Sequence, residues 1–387
     1  MKKIGKIIAI GIIWMFLLPA NVHATGGLAL TIDGKAAAIM ELSSGEIIFD
    51  QEGDLRLPPA SVTKIMTMLL IYEAVAQKRI SWDDIVTTSE HAANMGGSQI
   101  YLEPNEQQTV RDLTKAVVIA SANDAAVALA EFISGSEESF VDLMNKRARG
   151  LGMENTAFRN ACGLDAEGHF TTARDIAIMS RELLTRYPEV TEFATTWMDT
   201  IIHRTARGEE EFGLTNTNKL VKWYNGTTGL KTGSTGLALY CLSASARRGD
   251  MDLIAVILAA PNPTTRFQET MKMLDYGFAN YKVVKGELAG NVVAEIPVRK
   301  GQEPIARAMV ETLISNVTEK GNNSELTAEI TIPEVLDAPL ETGQIVGEII
   351  YTYEGAEIGR SNLVIEESVP RAGFLEILGR VYRGWFE

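Results

Sequence analysis

Three short polar motifs follow one another along the chain: Ser61-Val62-Thr63-Lys64, Ser121-Ala122-Asn123 and Lys231-Thr232-Gly233. A serine hydroxyl is a weak nucleophile at neutral pH and needs a neighbour to take its proton. On a helix, Ser61 and Lys64 stand three residues apart and share a face, so Lys64 can be that neighbour. Lysine ordinarily keeps its proton up to about pH 10.4 and acts as a base only when desolvated or set beside another cation. Lys231 is a candidate for that second cation. Ser61 in a first helical turn also places its backbone N–H among unsatisfied donors, where developing negative charge is stabilised. Each motif alone has an ordinary explanation as a helix cap, a solvated lysine or a strand end. Together and in this order they describe serine acyl transfer with lysine in place of histidine as base.

The other positions fill in that chemistry. Ser121 and Asn123 fall between an apolar helical stretch ending at Ala120 and another beginning near Asp124. A tight loop there turns both into a cleft, with Ser121 as proton relay to the leaving group and Asn123 as donor to a substrate amide carbonyl. Whether Lys64 acts directly or through Ser121 stays open. Lys231 and Thr232 suit a carboxylate, and Gly233 leaves room for a substrate backbone beside the strand. The Ser234 N–H pairs with that of Ser61 as an oxyanion hole. With four histidines in the chain, one of them in the leader described next, a His-ligated zinc site, a Ser-His-Asp triad and a cysteine nucleophile are all disfavoured. No metal and no other cofactor is expected.

Positioning these groups requires a sizeable fold. The chain has 387 residues, 46% hydrophobic and 22% charged, enough for two or three domains. A net charge of −14 without any basic run argues against a nucleic-acid partner. Residues 1–24 read as a secretory signal peptide: Lys2, Lys3 and Lys6, an apolar run over 7–18, and a small-residue cleavage site at Val22-His23-Ala24. Export permits a Cys162–Cys241 disulfide, but one cysteine falls in a polar loop and the other in a buried-strand run, and both read as free thiols.

Beyond the leader, Ala36–Glu41 and 46–50 read as a hairpin. Helical periodicity covers 61–76, 109–120, 124–133, 137–151, 172–184 and 264–279. A second hairpin, 236–246 and 251–259, is opened by the Lys231 motif. Strands at both ends with helices between them predict a mixed α/β (α+β) domain over 25–283, the N-terminal hairpin returning to pair beside the C-terminal one. From Asn291 the apolar residues alternate, as in Val292, Ala294, Ile296 and Val298, and a small all-β domain over 286–368 follows. On a helical wheel, residues 371–387 place Phe374, Ile377, Leu378, Val381, Tyr382 and Trp385 on one face. That segment is too short to span a bilayer and suits its interface.

These residues carry a resemblance. Pro59-Ala60-Ser61-Val62-Thr63-Lys64, Ser121-Ala122-Asn123-Asp124-Ala125-Ala126, Gly163-Leu164-Asp165 with Thr172-Ala173-Arg174-Asp175, and Thr228-Gly229-Leu230-Lys231-Thr232-Gly233 are similar to the low-molecular-mass D-alanyl-D-alanine carboxypeptidases. These are the penicillin-binding proteins that trim peptidoglycan stem peptides. The resemblance runs through the β domain and the tail. It implies a penicillin-recognising, β-lactamase-like catalytic domain with a helical subdomain, a C-terminal all-β domain and a terminal amphipathic helix. It implies Ser61 as acyl nucleophile, Lys64 as base, Ser121 and Asn123 as relay and amide contact, and Lys231 and Thr232 on the terminal carboxylate, with Arg266 a further candidate there. The partners implied are a peptidoglycan pentapeptide, β-lactams as inhibitors and, through 371–387, the outer face of the cytoplasmic membrane. Cys162 stands where relatives often carry histidine, and Ser234 where histidine or tyrosine is frequent. Two alternatives stand beside this reading. A β-lactamase would need a deacylating glutamate, and no E-x-x-L-N segment follows Asn123. A non-catalytic β-lactam sensor would need a transmembrane coupling segment.

Overall fold

The computed structural model describes residues 30–205, 208–287 and 289–383, with side chains up to residue 378 in the last stretch. Every element below belongs to one compact unit, Ile32–Glu387. The leader read over residues 1–24 lies outside the described residues.

A five-stranded antiparallel sheet organises the first part of the fold. Its order is Ile47–Gln51, Ala36–Glu41, Met251–Ala260, Leu239–Arg248, Thr227–Thr235. The N-terminal hairpin does return to the C-terminal one, with Ala36 opposite Leu258 and Glu41 opposite Leu253. Ala36–Glu41 is buried throughout, because both sheet faces are covered. Ala36, Ala38, Met40, Ile254, Val256 and Leu258 face the main core. On the opposite face, Ile39 and Leu253 meet the helix Pro263–Asn280 at Gly277, where a side chain would strike Leu253. Asn262 caps that helix by accepting from the N–H groups of Thr264 and Thr265, with Pro263 at its first position.

The main core is filled by the helix Lys64–Ala76, buried over its first nine residues and therefore apolar on every side. Around it pack Asn123–Ser134, Glu137–Gly150 and Ala173–Arg186. Arg147 ties three of these helices together through Glu73 at 2.6 Å and Glu182 at 2.5 Å.

Four elements differ from the sequence expectation. The Lys231 motif does not merely open a hairpin; it lies inside a nine-residue edge strand, Thr227–Thr235, laddered to Leu239–Arg248. Its two glycines and polar residues carry little strand propensity, and cross-strand pairing holds it. The hairpin Met198–Thr205 and Gly208–Thr215 was not legible, since in its second strand the Glu209–Glu211 run is exposed and only Leu214 is buried. The helix expected over 109–120 is α-helical only from Val110 to Lys115, then widens to a π turn, Ala116–Ala120. Ser61 sits in a 3₁₀ turn, Ala60–Thr63, that precedes the α-helix.

The C-terminal part is all β from Tyr281 onward. A six-stranded sheet runs Leu326–Thr331, Ile345–Tyr353, Ala356–Ile365, Ile305–Val310, Val292–Arg299, Leu336–Asp337, over small cores that include Ile296, Val310, Tyr351 and Leu363. The ribbon Tyr281–Lys285 with Ser315–Glu319 carries Ser315, whose Oγ donates to Ser43 Oγ at 3.1 Å. A helix, Phe374–Arg383, ends the described chain. Phe374 and Leu375 are 78% and 79% exposed, so this helix leaves apolar side chains uncovered. Among the described residues no helix is long and apolar enough to cross a membrane.

Candidate active site

Ser61 follows Pro58-Pro59-Ala60, and the turn that carries it is gripped from two sides. Ala60 takes a left-handed backbone, φ 49°. Gly163, φ +91°, packs so tightly on the Ala60 carbonyl that a side chain there would overlap it. On the other side a Cβ at Gly233 would lie 2.9 Å from Pro59 O and 3.0 Å from Ser61 N. The room at Gly233, expected for a substrate backbone, is thus taken up by the Ser61 turn itself.

Lys64 is fully buried, and its Nζ reaches three oxygens: Asn123 Oδ1 at 2.5 Å, the Cys162 carbonyl at 2.7 Å and Ser61 Oγ at 3.1 Å. Burial pulls its pKa down to about 8, against the opposing pull of Cys162 and Asp124. The cause is therefore desolvation. The repulsion expected between the two lysines shows instead on Lys231, which burial and then Lys64 and Arg266 drive well below its ordinary value. Two of the three Lys64 partners are carbonyl oxygens, which only accept. A neutral amine has two hydrogens, which those carbonyls take, and its lone pair then faces the Ser61 hydroxyl.

Asn123 is held at three atoms. Its Oδ1 accepts from Lys64, its Nδ2 donates to Gly96 O at 2.6 Å and its backbone N–H to Ser98 O at 2.7 Å. Its oxygen orients Lys64, and of the two Nδ2 hydrogens one is committed to Gly96. The neighbouring Asp124 accepts from the N–H groups of Ile100, Leu102 and Ala125, fixing the loop that Asn123 touches. Burial raises its pKa and those amides oppose the rise. Ser121 is buried in a left-handed conformation, φ 65°, just after the π turn, a helix irregularity frequent at functional sites. Its Oγ makes no hydrogen bond among the described residues, to Lys64 or to any other group.

Lys231 is buried, with Nζ donating to Thr232 O at 3.1 Å. Thr232 Oγ1 donates to Thr217 Oγ1 at 2.7 Å. Ser234 is exposed, one residue beyond Gly233 on the same strand. Arg266 lies behind that strand: Nη1 donates to Gly233 O at 3.1 Å and to Cys241 O at 3.4 Å. Its guanidinium sits over the Phe267 and Tyr240 rings, Nε has no partner, and burial lowers its pKa to about 10. Lys64, Lys231 and Arg266 have no carboxylate partner among the described residues, so the strand edge is a cationic region that favours an anion.

Sequence reasoning marked Cys162 and Gly163-Leu164-Asp165 but missed Asn160 and the role of the Cys162 carbonyl. Asn160 Oδ1 accepts from the N–H groups of Gly163 at 2.6 Å and Leu164 at 3.1 Å, shaping the loop that presents the Cys162 carbonyl. Thr235 Oγ1 donates to Asp165 Oδ1 at 2.7 Å, tying that loop to the Lys231 strand. An Asn three residues before a glycine was the available signal. Both cysteines are buried and unpaired with each other, as read.

A hydroxyl facing a desolvated amine beside an anion-seeking strand edge is the layout of a serine acyl-transfer enzyme with a lysine base. Residues 22–262 match the D-alanyl-D-alanine carboxypeptidase family, peptidase S11, and residues 281–371 match the penicillin-binding protein 5 C-terminal domain. The chain is 41% identical to the D-alanyl-D-alanine carboxypeptidase DacF of Bacillus subtilis, covering 100% of this chain and 99% of that protein. It is 36% identical to DacC of Escherichia coli, over 97% and 94% respectively. The crystal structure of penicillin-binding protein 5 from Haemophilus influenzae superposes with a TM-score of 0.71 at 32% identity, over 89% of this chain and 100% of that one. The protein belongs to the peptidase S11 family of D-alanyl-D-alanine carboxypeptidases.

The grip on the Ser61 turn makes a testable demand. Gly163→Ala places a methyl on the Ala60 carbonyl and displaces the nucleophile. Covalent labelling by a fluorescent penicillin is expected to slow about 100-fold, the cost of an ångström-scale misplacement. Wild-type labelling at an unchanged melting temperature would refute the clamp.

Proposed function

We propose that this protein removes the terminal D-alanine from peptidoglycan stem peptides through an acyl-enzyme on Ser61. The observation that carries the mechanism is the Lys64 amine, desolvated and 3.1 Å from Ser61 Oγ. Neutral Lys64 takes the Ser61 proton as Oγ attacks the penultimate D-alanine carbonyl. The N–H groups of Ser61 and Ser234 receive the negative charge on that oxygen. Lys231, Thr232 and Arg266 hold the terminal carboxylate, consistent with the lack of a carboxylate partner for Lys231 and Arg266 among the described residues and with the donor hydroxyl of Thr232. As the tetrahedral intermediate collapses, the C–N bond breaks and the proton held on Lys64 passes to the departing D-alanine amine. Ser121, beside Asn123, is the relay in that transfer. Asn123 orients Lys64 through its oxygen and donates its second Nδ2 hydrogen to a substrate amide carbonyl. Water then hydrolyses the ester and frees Ser61.

The domain reading follows the same lines: a signal peptide over 1–24, an acyl-serine domain over 25–283, a β domain over 286–368 and a membrane-associating helix over 371–387. Support comes from the two separate sheets and from the two family matches. The protein works outside the cell, held peripherally on the cytoplasmic membrane by its last helix, whose exposed Phe374, Leu375 and Leu378 suit an interface.

The assay is direct. Protein lacking the leader is expected to release D-alanine from a peptide ending in D-Ala-D-Ala and to form a long-lived adduct with labelled penicillin, and both are lost in Ser61→Ala. Rapid penicillin turnover would indicate a β-lactamase instead, and a stable adduct without D-alanine release a sensor.

The acid–base assignment has a sign. Lys64 must be neutral to act, so kcat/KM is expected to rise about tenfold per pH unit below about 8 and to level off above it. A profile that falls through this range overturns the lysine base.

Removal of residues 371–387 is expected to move the mature protein from the membrane pellet to the supernatant. Continued sedimentation of the truncated protein with membranes would refute the anchor.

A further inference from the structure

A fourth segment, outside all three motifs, connects two of them. Thr217 lies in the turn Asn216-Thr217-Asn218, between the strand Gly208–Thr215 and the short helix Leu220–Trp223. Its backbone N–H donates to Ile119 O at 3.1 Å. Ile119 belongs to the π turn that delivers Ser121, where terminal carbonyls lack partners of their own. The Thr217 side-chain Oγ1 accepts from Thr232 Oγ1 at 2.7 Å. One residue therefore spans from the Ser121 arm to the Lys231 strand.

The turn that holds Thr217 is itself fixed. Asn216 Nδ2 donates to the carbonyls of Ala194 at 3.0 Å and Thr196 at 2.8 Å. Asn216 Oδ1 accepts from Asn218 N at 2.9 Å, and Asn218 Oδ1 from Leu220 N at 3.2 Å. Thr217 is half-buried between these two buried asparagines, so its hydroxyl is pinned without being enclosed.

We infer that Thr217 is a positioning residue for the carboxylate end of the substrate, setting the direction of the Thr232 hydroxyl. The inference rests on the reading of Thr232 as a carboxylate contact. A hydroxyl has one donor and two acceptor sites. In this structure Thr232 spends its donor on Thr217. A carboxylate accepts more strongly than a neutral hydroxyl, so its arrival draws the Thr232 proton away. Thr217 then reverses and donates to Thr232 Oγ1. The resulting chain runs from Thr217 through Thr232 to the carboxylate, each bond polarising the next. No proton changes owner; two hydroxyls rotate. A valine at 217 keeps the branched shape and can take part in neither arrangement.

The test uses two thioester donors with the same acyl group. In one the leaving group ends in a carboxylate, and in the other that carboxylate is an ethyl ester. T217V is expected to raise KM for the carboxylate donor about tenfold, the effect of one hydrogen bond in a charged chain. The ester donor should change by less than about twofold on the same scale. T217S is expected to recover most of the loss. Thr217→Ala answers the same question should T217V melt early. Equal losses on both donors at an unchanged melting temperature would make Thr217 a general strut and overturn the inference. T232V, run in parallel, separates the two levels of the argument. If T232V discriminates between the donors and T217V does not, the inference falls and the carboxylate reading stands. If T232V also fails to discriminate, both fall.

Discussion

The structure is arranged around one buried nitrogen that has no negative charge beside it. A lysine ammonium taken out of water without a carboxylate partner is costly, and the side chain answers by lowering its proton affinity. Lys64 is in that position: fully buried, with two carbonyl oxygens and one hydroxyl around its amine. A carboxylate in place of either carbonyl would keep the proton on the lysine and remove the base. The carbonyls accept hydrogen bonds and so set the direction of the amine without neutralising a charge. The nearest carboxylate that acts on it, Asp124, is occupied by three backbone amides.

The need to hold that nitrogen explains why segments far apart in sequence converge. Asn123 arrives on the helix start after the π turn, Cys162 on the loop that Asn160 shapes, and Ser61 on the 3₁₀ turn one step before Lys64's own helix. The last of these must be approached by backbone from both sides, and only glycine permits it. Gly163 meets the Ala60 carbonyl and Gly233 the Pro59 carbonyl. A side chain at either place would push the nucleophile off its base. The five-stranded sheet contributes by delivering Gly233 on an edge strand, where the outer side of the ladder has no further strand.

How much of this was legible in the sequence depends on what kind of atom each contact uses. Ser61, Lys64, Ser121 and Lys231 carry distinctive side chains, and their types and order marked them as candidates for one site. The contacts made by main chain were invisible. The Cys162 carbonyl and the Thr217 N–H exist at every residue, and nothing in the sequence marks which will face a lysine or a π turn. Gly233 was read for the right property, closeness, and the wrong neighbour. The N-terminal hairpin was legible because its strand is buried on both faces and reads as a continuous apolar run. The strand Thr227–Thr235 was shortened in the reading because its residues are small and polar, and the hairpin Met198–Thr215 was missed because almost none of its second strand is buried.

Two buried lysines of the same chemistry are separated in role by what remains unsatisfied. Lys64 has an oxygen for every direction of its amine, so it has no capacity left for a ligand and can only exchange a proton with Ser61. Lys231 has one acceptor, the Thr232 carbonyl, among the described residues. Its remaining donor directions, like the unpartnered Nε of Arg266, are left for something that accepts. A bound carboxylate would supply negative charge to a lysine whose proton affinity its surroundings lower, raising that affinity and strengthening its hold on the ligand. On the proposed mechanism, spare hydrogen-bonding capacity, more than charge or position in a motif, suits one lysine to act as base and the other to receive the carboxylate.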